Sequence, residues 1–202
     1  MLGMRQIIFA AMAGLSLGGS ALAQTAPPAR VRGEIDMIDA NQIRVRNKAG
    51  EVVTLKLTPE TSVTWIAPIA IEAIKPGSFI GTAAMPQPDG TLQAREVQVF
   101  PEAMRGIGEG HRPWDLEPGG TMTNGTVGDL AVSKGRLLTL VYKGGEQKVY
   151  VPENAPVITY LPATQADLKQ GAHVIVFATH NPDETLTATR IGEGKDGLIP
   201  PM

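Results

Sequence analysis

From residue 30 onward the chain is written in short runs of alternating apolar and polar residues, each closed by Gly, Pro, Asn or Asp. "RVRGEIDMI" (30–38) predicts a first strand. "QIRVR" and "VVTLKL" alternate around Lys48-Ala49-Gly50-Glu51, with Arg44 and Arg46 facing away from Ile43 and Val45, and predict a hairpin with one wet face. "SVTWI" is a short extended piece. "PIAIEAI" after Pro68 predicts a helical turn that ends at Lys75-Pro76-Gly77. "SFIGTAAM" and "LQAREVQVF" predict a last hairpin around Pro88-Asp89-Gly90. In that hairpin Leu92-x-Ala94-x-x-Val97 breaks strict alternation by one residue, which predicts a bulge.

The same plan returns later in the chain. At a constant offset of 94, Val63 meets Val157, Pro68 meets Pro162, Lys75 and Gly77 meet Lys169 and Gly171, and Ala84 meets Ala178. Pro88-Asp89 meets Pro182-Asp183, Thr91-Leu92 meets Thr185-Leu186, and Ala94 meets Ala188. Upstream, with small register shifts, Gly33-Glu34-Ile35 resembles Gly125-Thr126-Val127, and the Lys48–Glu51 turn resembles Lys143–Glu146. The pattern reads as a duplication over 30–100 and 122–193, with an insert at 101–121 and a loose Gly/Pro-rich tail at 194–202.

Five curled strands with a short helix between the third and fourth is the plan of an OB-like small barrel, and closure would remove exposed sheet edges. The expected fold is therefore all-β: two tandem OB-like small β-barrels from an internal duplication, each with one short helix. A pair of open β-rolls sharing one sandwich is the alternative. The unit resembles bacterial secreted domains of unknown function with an OB-like fold. The likeness lies in Gly-x-Ile near the start, a Lys-x-Gly-Glu hairpin, and Lys-Pro-Gly before a β-hairpin. It covers nearly all of the chain beyond residue 24. Chains of this kind are sometimes labelled as associated with metal transporters. The resemblance implies a fold, and it implies no activity and no catalytic residues.

The amino terminus has a different character. Arg5 precedes an apolar run from Ile7 to Leu17, and Ala21-Leu22-Ala23 follows. This is the plan of a Sec-type signal peptide over 1–23 with cleavage near Ala23, so a periplasmic or secreted protein is expected. The apolar run is shorter than the roughly 20 residues of a membrane span. The whole chain has net charge −2, and losing Arg5 makes it one unit more negative. That balance argues against nucleic acid as a partner. No cysteine is present, which excludes disulfides, thiolate metal sites and a cysteine nucleophile.

Candidate chemistry concentrates in the insert, "PEAMRGIGEGHRPWDLEPGGT". Gly106, Gly108 and Gly110 alternate, but a dinucleotide fingerprint needs another spacing and a following helix, which Pro113 and Pro118 oppose. Arg105, Glu109, His111, Arg112, Trp114 and Asp115 are the candidate ligand-binding or interdomain residues. In the interdomain reading the Trp114 indole N–H finds a carbonyl, and Arg105 or Arg112 pairs with Glu109, Asp115 or Glu117. A metal reading takes His111, Met104 and Met122 as ligands, which suits copper, with zinc possible through imidazole and carboxylates. His173 stands where the first repeat has Phe79 and reads as half-buried; His180 reads as solvated at a hairpin tip. Trp65 and Tyr160 read as aromatics packed under the helical turns, though an OB-type binder could stack ligands on them. Ser62, Ser78 and Ser133 lie in no G-x-S-x-G elbow. The expectation is a non-enzymatic, cofactor-free binding or adaptor protein that recognises an envelope protein or a small ligand near the insert. Metal handling is the alternative.

Overall fold

The computed structural model describes residues 29–131 and 136–201; the expected signal peptide and Ser133 lie outside the described residues. The chain is all-β. The segment read from the sequence as a first repeat gives β1 (Ala29–Ile38), β2 (Gln42–Arg46), β3 (Val52–Lys56), β4 (Ser62–Pro68), β5 (Phe79–Pro86) and β6 (Leu92–Val99). The insert adds a short strand, β7 (Gly110–Pro113). The segment read as a second repeat gives β8 (Thr121–Ala131), β9 (Leu137–Tyr142), β10 (Gly145–Tyr150), β11 (Val157–Ala163), β12 (His173–His180) and β13 (Leu186–Gly194). The expected helices are single 3-10 turns, Ile71–Ala73 and Gln165–Asp167. The second is held by a capping box between Thr164 and Asp167.

Local chemistry repeats at the offset seen in the sequence. Asp89 Oδ1 accepts from the backbone N–H and hydroxyl of Thr91, and Asp183 Oδ1 does the same with Thr185, so both hairpin turns are tied in one way. The expected bulge is present in both hairpins: the register shifts between Ala83 and Ala84 where β5 meets β6, and between Phe177 and Ala178 where β12 meets β13. The Gly-x-Ile motif has a steric cause. A Cβ at Gly33 would stand 2.0 Å from the Arg46 carbonyl oxygen, and one at Gly125 would stand 2.7 Å from that of Val141, so only glycine permits these crossings.

The strand pairing corrects the expectation of tandem barrels, each folded from its own contiguous repeat. The strands form one continuous sheet in which the last hairpin of each repeat has changed places. β1, β2 and β3 from the first repeat close on β12 and β13 from the second: β1 pairs antiparallel with β12, and β3 pairs parallel with β13. β8, β9 and β10 from the second repeat close on β5 and β6 from the first, with β8 antiparallel to β5 and β10 parallel to β6. Two closed five-strand circuits result. Strands β4 and β11 join them. They pair with each other antiparallel, Ile66 opposite Tyr160, while β4 runs parallel to β13 and β11 parallel to β6. The sequence could not show this exchange, because the same strand set closes a circuit with its own hairpin or with its neighbour's.

Three apolar cores follow. Ile35, Ile43, Val45 and Leu55 meet Val174, Val176 and Ile191 inside the first circuit. Ile80, Leu92 and Val97 meet Val127, Leu138, Leu140 and Val149 inside the second. A third core, Ile66, Ala83, Trp114, Met122, Ile158, Tyr160 and Ile175, lies between the circuits under the insert. Each draws on both repeats. The tail, expected to be loose, continues β13 to Gly194, makes a 3-10 turn at Lys195–Gly197 and packs Leu198 against the third core.

Because every core is shared, urea unfolding is expected as one transition, with far-UV circular dichroism and tryptophan fluorescence coincident. Ile43→Ala and Leu140→Ala, one in each circuit, should each lower that single midpoint at a cost of about 2–5 kcal/mol. Two resolved transitions, each moved by only one of the variants, would contradict the shared cores.

Candidate functional site

The face of the central strands that turns away from the two circuits carries an unusual load of polar groups. On β6, Leu92, Ala94 and Val97 point into the second circuit, and Glu96 and Gln98 point to the other face. Both are buried, Glu96 completely. Gln98 Nε2 donates to Glu96 Oε1, and Tyr160 Oη donates to Gln98 Oε1 at 2.5 Å. At the position of Glu96 plus 94 stands Arg190, on the equivalent face of β13. Its guanidinium lies 4.1 Å over the Phe177 ring.

The insert covers this face. A 3-10 turn at Glu102–Met104 leads to β7, which pairs with β8 so that Arg112 lies opposite Met122 and His111 opposite Thr123. Alternation along β7 then separates the candidate residues. Arg112 lines a cavity of about 80 Å³ with Gln98, Phe100, Ile107, Gly108, Trp114, Met122, Asn124, Tyr160, Phe177 and Arg190. His111 lies on the other side of the strand, its Nδ1 2.8 Å from Thr123 Oγ1 and its ring stacked on Tyr142 at 6.4 Å.

The ion pairs differ from the expected set. Arg105 pairs with Glu102 and donates to the Gly77 carbonyl. Glu109 accepts from the Lys143 backbone N–H, and Glu117 pairs with Arg95. Asp115 pairs with Arg30 and Arg32 of β1, which pins the insert to the first circuit. Arg112 donates to the Gly108 carbonyl at 2.7 Å and has no carboxylate partner among the described residues. The Trp114 indole N–H was expected to find a carbonyl; instead Nε1 is buried without an acceptor among the described residues. The ring is held by cations, with Arg30 4.0 Å and Arg112 5.6 Å from its centroid.

Of the six candidate ligand residues, Arg112 and Trp114 line the cavity, Asp115 acts beside it through Arg30, and Arg105, Glu109 and His111 lie elsewhere. Of the candidate metal ligands, Met122 belongs to the third core, Met104 packs against it, and His111 stands on the other side of β7. Among the described residues no group of three or more His, Asp or Glu side chains converges as a metal site. Tyr160 is a third-core residue, not one packed under a turn; Trp65 is half-buried, with Lys195 Nζ 5.1 Å from its ring. Sequence reasoning missed Gln98, Asn124, Phe177 and Arg190. The offset alignment held one usable signal, a charged pair, Glu96 and Arg190, at equivalent positions.

Electrostatics set this region apart. Burial raises the Glu96 carboxyl to about 7, although the Gln98 hydrogen bond and the charge of Arg32 oppose it. Burial, with Glu96 nearby, raises the Tyr160 hydroxyl far above its usual value. Burial lowers Arg112, with the charge of Arg30 adding to the effect, and burial lowers Arg190. Burial opposes ionisation of Asp115, but Arg32 and Arg30 outweigh it and hold this carboxyl below the ordinary range. His111 is lowered by burial and by Arg112.

The comparisons with known proteins add one finding. Residues 146–192 match a family described only as a domain of unknown function, DUF5666. That segment runs from β10 to β13, so its strands are divided between the two circuits. No curated protein and no solved structure matches the chain. No helix among the described residues is long and apolar enough to cross a membrane.

Glu96 gives the site a pH signature. Its folded pKa, about 7, exceeds the unfolded value of 4.5. Its contribution to stability is therefore complete below about pH 4.5 and is lost as the pH rises through 7. The difference corresponds to roughly 3 kcal/mol. Glu96→Gln, which keeps the bond to Gln98 without a charge, should match the wild type near pH 4.5, exceed its stability at pH 8 and show a shallower slope between. Parallel urea midpoints across this range would contradict the buried carboxyl.

Proposed function

We propose that the chain is a non-enzymatic binding or adaptor protein of the cell envelope, and that its site is the cavity beneath the insert. The observation that carries this reading is the cavity's lining. Two arginines without carboxylate partners and a buried indole N–H without an acceptor, among the described residues, meet there between aromatic and apolar walls. Buried polar groups ordinarily find partners within the fold, and a buried indole N–H without one, beside two arginines that no carboxylate neutralises, favours a ligand. The enzymatic alternative finds no paired general acid and base among the residues that line this cavity; the carboxyl that burial raises to about 7, Glu96, sits behind Gln98 and Tyr160.

We read each closed circuit as an OB-like barrel. The order β1-β2-β3-β13-β12 and its counterpart β8-β9-β10-β6-β5 each have a parallel closing pair and a short helical turn at the exchange point. The matching offsets support descent from a duplicated unit, and the amino-terminal pattern supports a periplasmic or secreted location. An adaptor or small-ligand role suits a scaffold of this kind, in which the ligand sits where the two circuits meet.

The test uses the two tryptophans, Trp65 and Trp114. Their indole N–H signals in a nitrogen-edited NMR spectrum report on two separate places. A protein or small-molecule fraction of an envelope extract is expected to move the Trp114 signal, leave Trp65 in place, and lose its effect on Arg112→Ala. No response of Trp114 to any fraction, or an equal response in the variant, would contradict a binding site beneath the insert.

A further inference from the structure

The side chains around Trp114 carry an excess of positive charge. Arg30 and Arg112 stand near its ring, Arg112 and Arg190 line its cavity, and Arg32 joins Arg30 on the neighbouring Asp115. Asp115 forms ion pairs with Arg30 and Arg32, and Arg32 also acts on Glu96 through its charge. Glu96, a buried acid on β6, is neutral over much of the acid range because burial disfavours its charge. Among the described residues, Arg112 and Arg190 face the cavity with no carboxylate against them.

The geometry narrows what could supply a countercharge. Each guanidinium stands against an aromatic ring, Arg190 4.1 Å from the Phe177 centroid and Arg112 5.6 Å from that of Trp114. A guanidinium beside an aromatic ring keeps N–H groups at its edge for a carboxylate; on Arg112 one nitrogen donates to the Gly108 carbonyl at 2.7 Å, and its remaining N–H groups are the donors in question. The Trp114 indole contributes a third donor. The other polar groups are engaged within the protein: Asn124 Nδ2 donates to the Ile107 carbonyl at 2.9 Å, and Gln98 Oε1 accepts from Tyr160. The unengaged acceptor of the lining, Asn124 Oδ1, is packed against Gly81, where a Cβ would come within 2.6 Å of it. Phe100, Ile107 and Met122 form the apolar part of the wall, and low polarity there strengthens every charge interaction inside. A volume of about 80 Å³ is that of roughly two to three waters at liquid density. It accommodates a carboxylate with one or two carbons and no large body.

We infer that this cavity binds a single small carboxylate group, its oxygens bridging Arg112 and Arg190 and accepting the Trp114 indole N–H. The inference rests on the reading of the cavity as a binding site and names the chemistry of its ligand. The carboxylate belongs either to a free short-chain acid or to an acidic side chain presented by a partner.

The experiment is titration of the full chain with acetate, acetamide, inorganic phosphate and a short glutamate-containing peptide, followed by calorimetry and by the Trp114 indole signal. Acetate or the peptide is expected to bind saturably and move Trp114 without moving Trp65. Acetamide, the uncharged analogue, is expected to do neither. Arg112→Met and Arg190→Met should each weaken binding at least about tenfold. Arg105→Met, which breaks an exposed pair with Glu102 outside the cavity, should leave it unchanged. Tighter binding of acetate assigns a free acid and tighter binding of the peptide assigns a partner side chain; both uphold the inference. Equal binding of acetamide, preference for phosphate, or no response of wild-type Trp114 to either carboxylate would overturn it. The wild-type signal decides the matter even if an arginine variant fails to fold. A Trp114 response to an envelope fraction without one to carboxylates would leave the binding reading standing and remove the anion alone.

Discussion

The antiparallel seam between β4 and β11 is the constraint on which the remainder of the structure depends. Ile66 and Tyr160 face each other at its centre, and the matching positions Val63 and Val157 pair with Ile191 and Val97 on either side. Once these two strands lie together, the hairpin that follows each of them is delivered to the other repeat's first three strands. Each circuit can then close only with a hairpin from the opposite half. Burial of Ile35, Ile43 and Leu55 requires Val174 and Ile191, and burial of Leu138 and Leu140 requires Ile80 and Val97. With a fully buried aliphatic side chain contributing roughly 1.5–3 kcal/mol, neither half retains a complete core without the other.

The seam also places the candidate site. Its strands have two faces, one inside the circuits and one outside, and the outer face would be a broad patch open to water without a cover. The insert and the tail supply that cover with Trp114, Met104, Leu116 and Leu198. The approximate symmetry of the repeats fails at this place. Glu96 is matched by Arg190, Gln98 by Gly192 and Tyr160 by Ile66, so one side of the seam carries a hydrogen-bonded acid and the other a base stacked on an aromatic ring. A polar cavity arises from that inequality and from the insert laid across it.

Apart from β7 in the insert, the strands, the hairpin bulges and the turn chemistry shared by the two segments were legible in the sequence, because each is a local consequence of alternation, glycine and Asx turns. The partners were not. Alternation at Ile43, Val45 and Leu55 states which face is buried. It says nothing about whether Ile80 of the same repeat or Val174 of the other will cover it, since both are β-branched residues at equivalent positions. The insert was legible as a place of interest, but only Arg112 and Trp114 of its polar residues reach the cavity, because β7 is extended and sends His111 to the opposite side. Arg190 was invisible as a site residue. On an alternating strand an arginine reads as solvent-facing, and only the cover laid over β13 makes it an inward one.

The exchange of hairpins is the central claim, and the cysteine-free chain allows a direct test. Glu34 and His173 are opposite each other where β1 meets β12; Glu34 is exposed and His173 half-buried. Glu34→Cys with His173→Cys should oxidise to a disulfide within one monomer, seen as a faster-migrating band on non-reducing gels, while either cysteine alone should give none. A double variant that stays reduced, or that joins only into dimers, would contradict the exchanged pairing and return each hairpin to its own repeat.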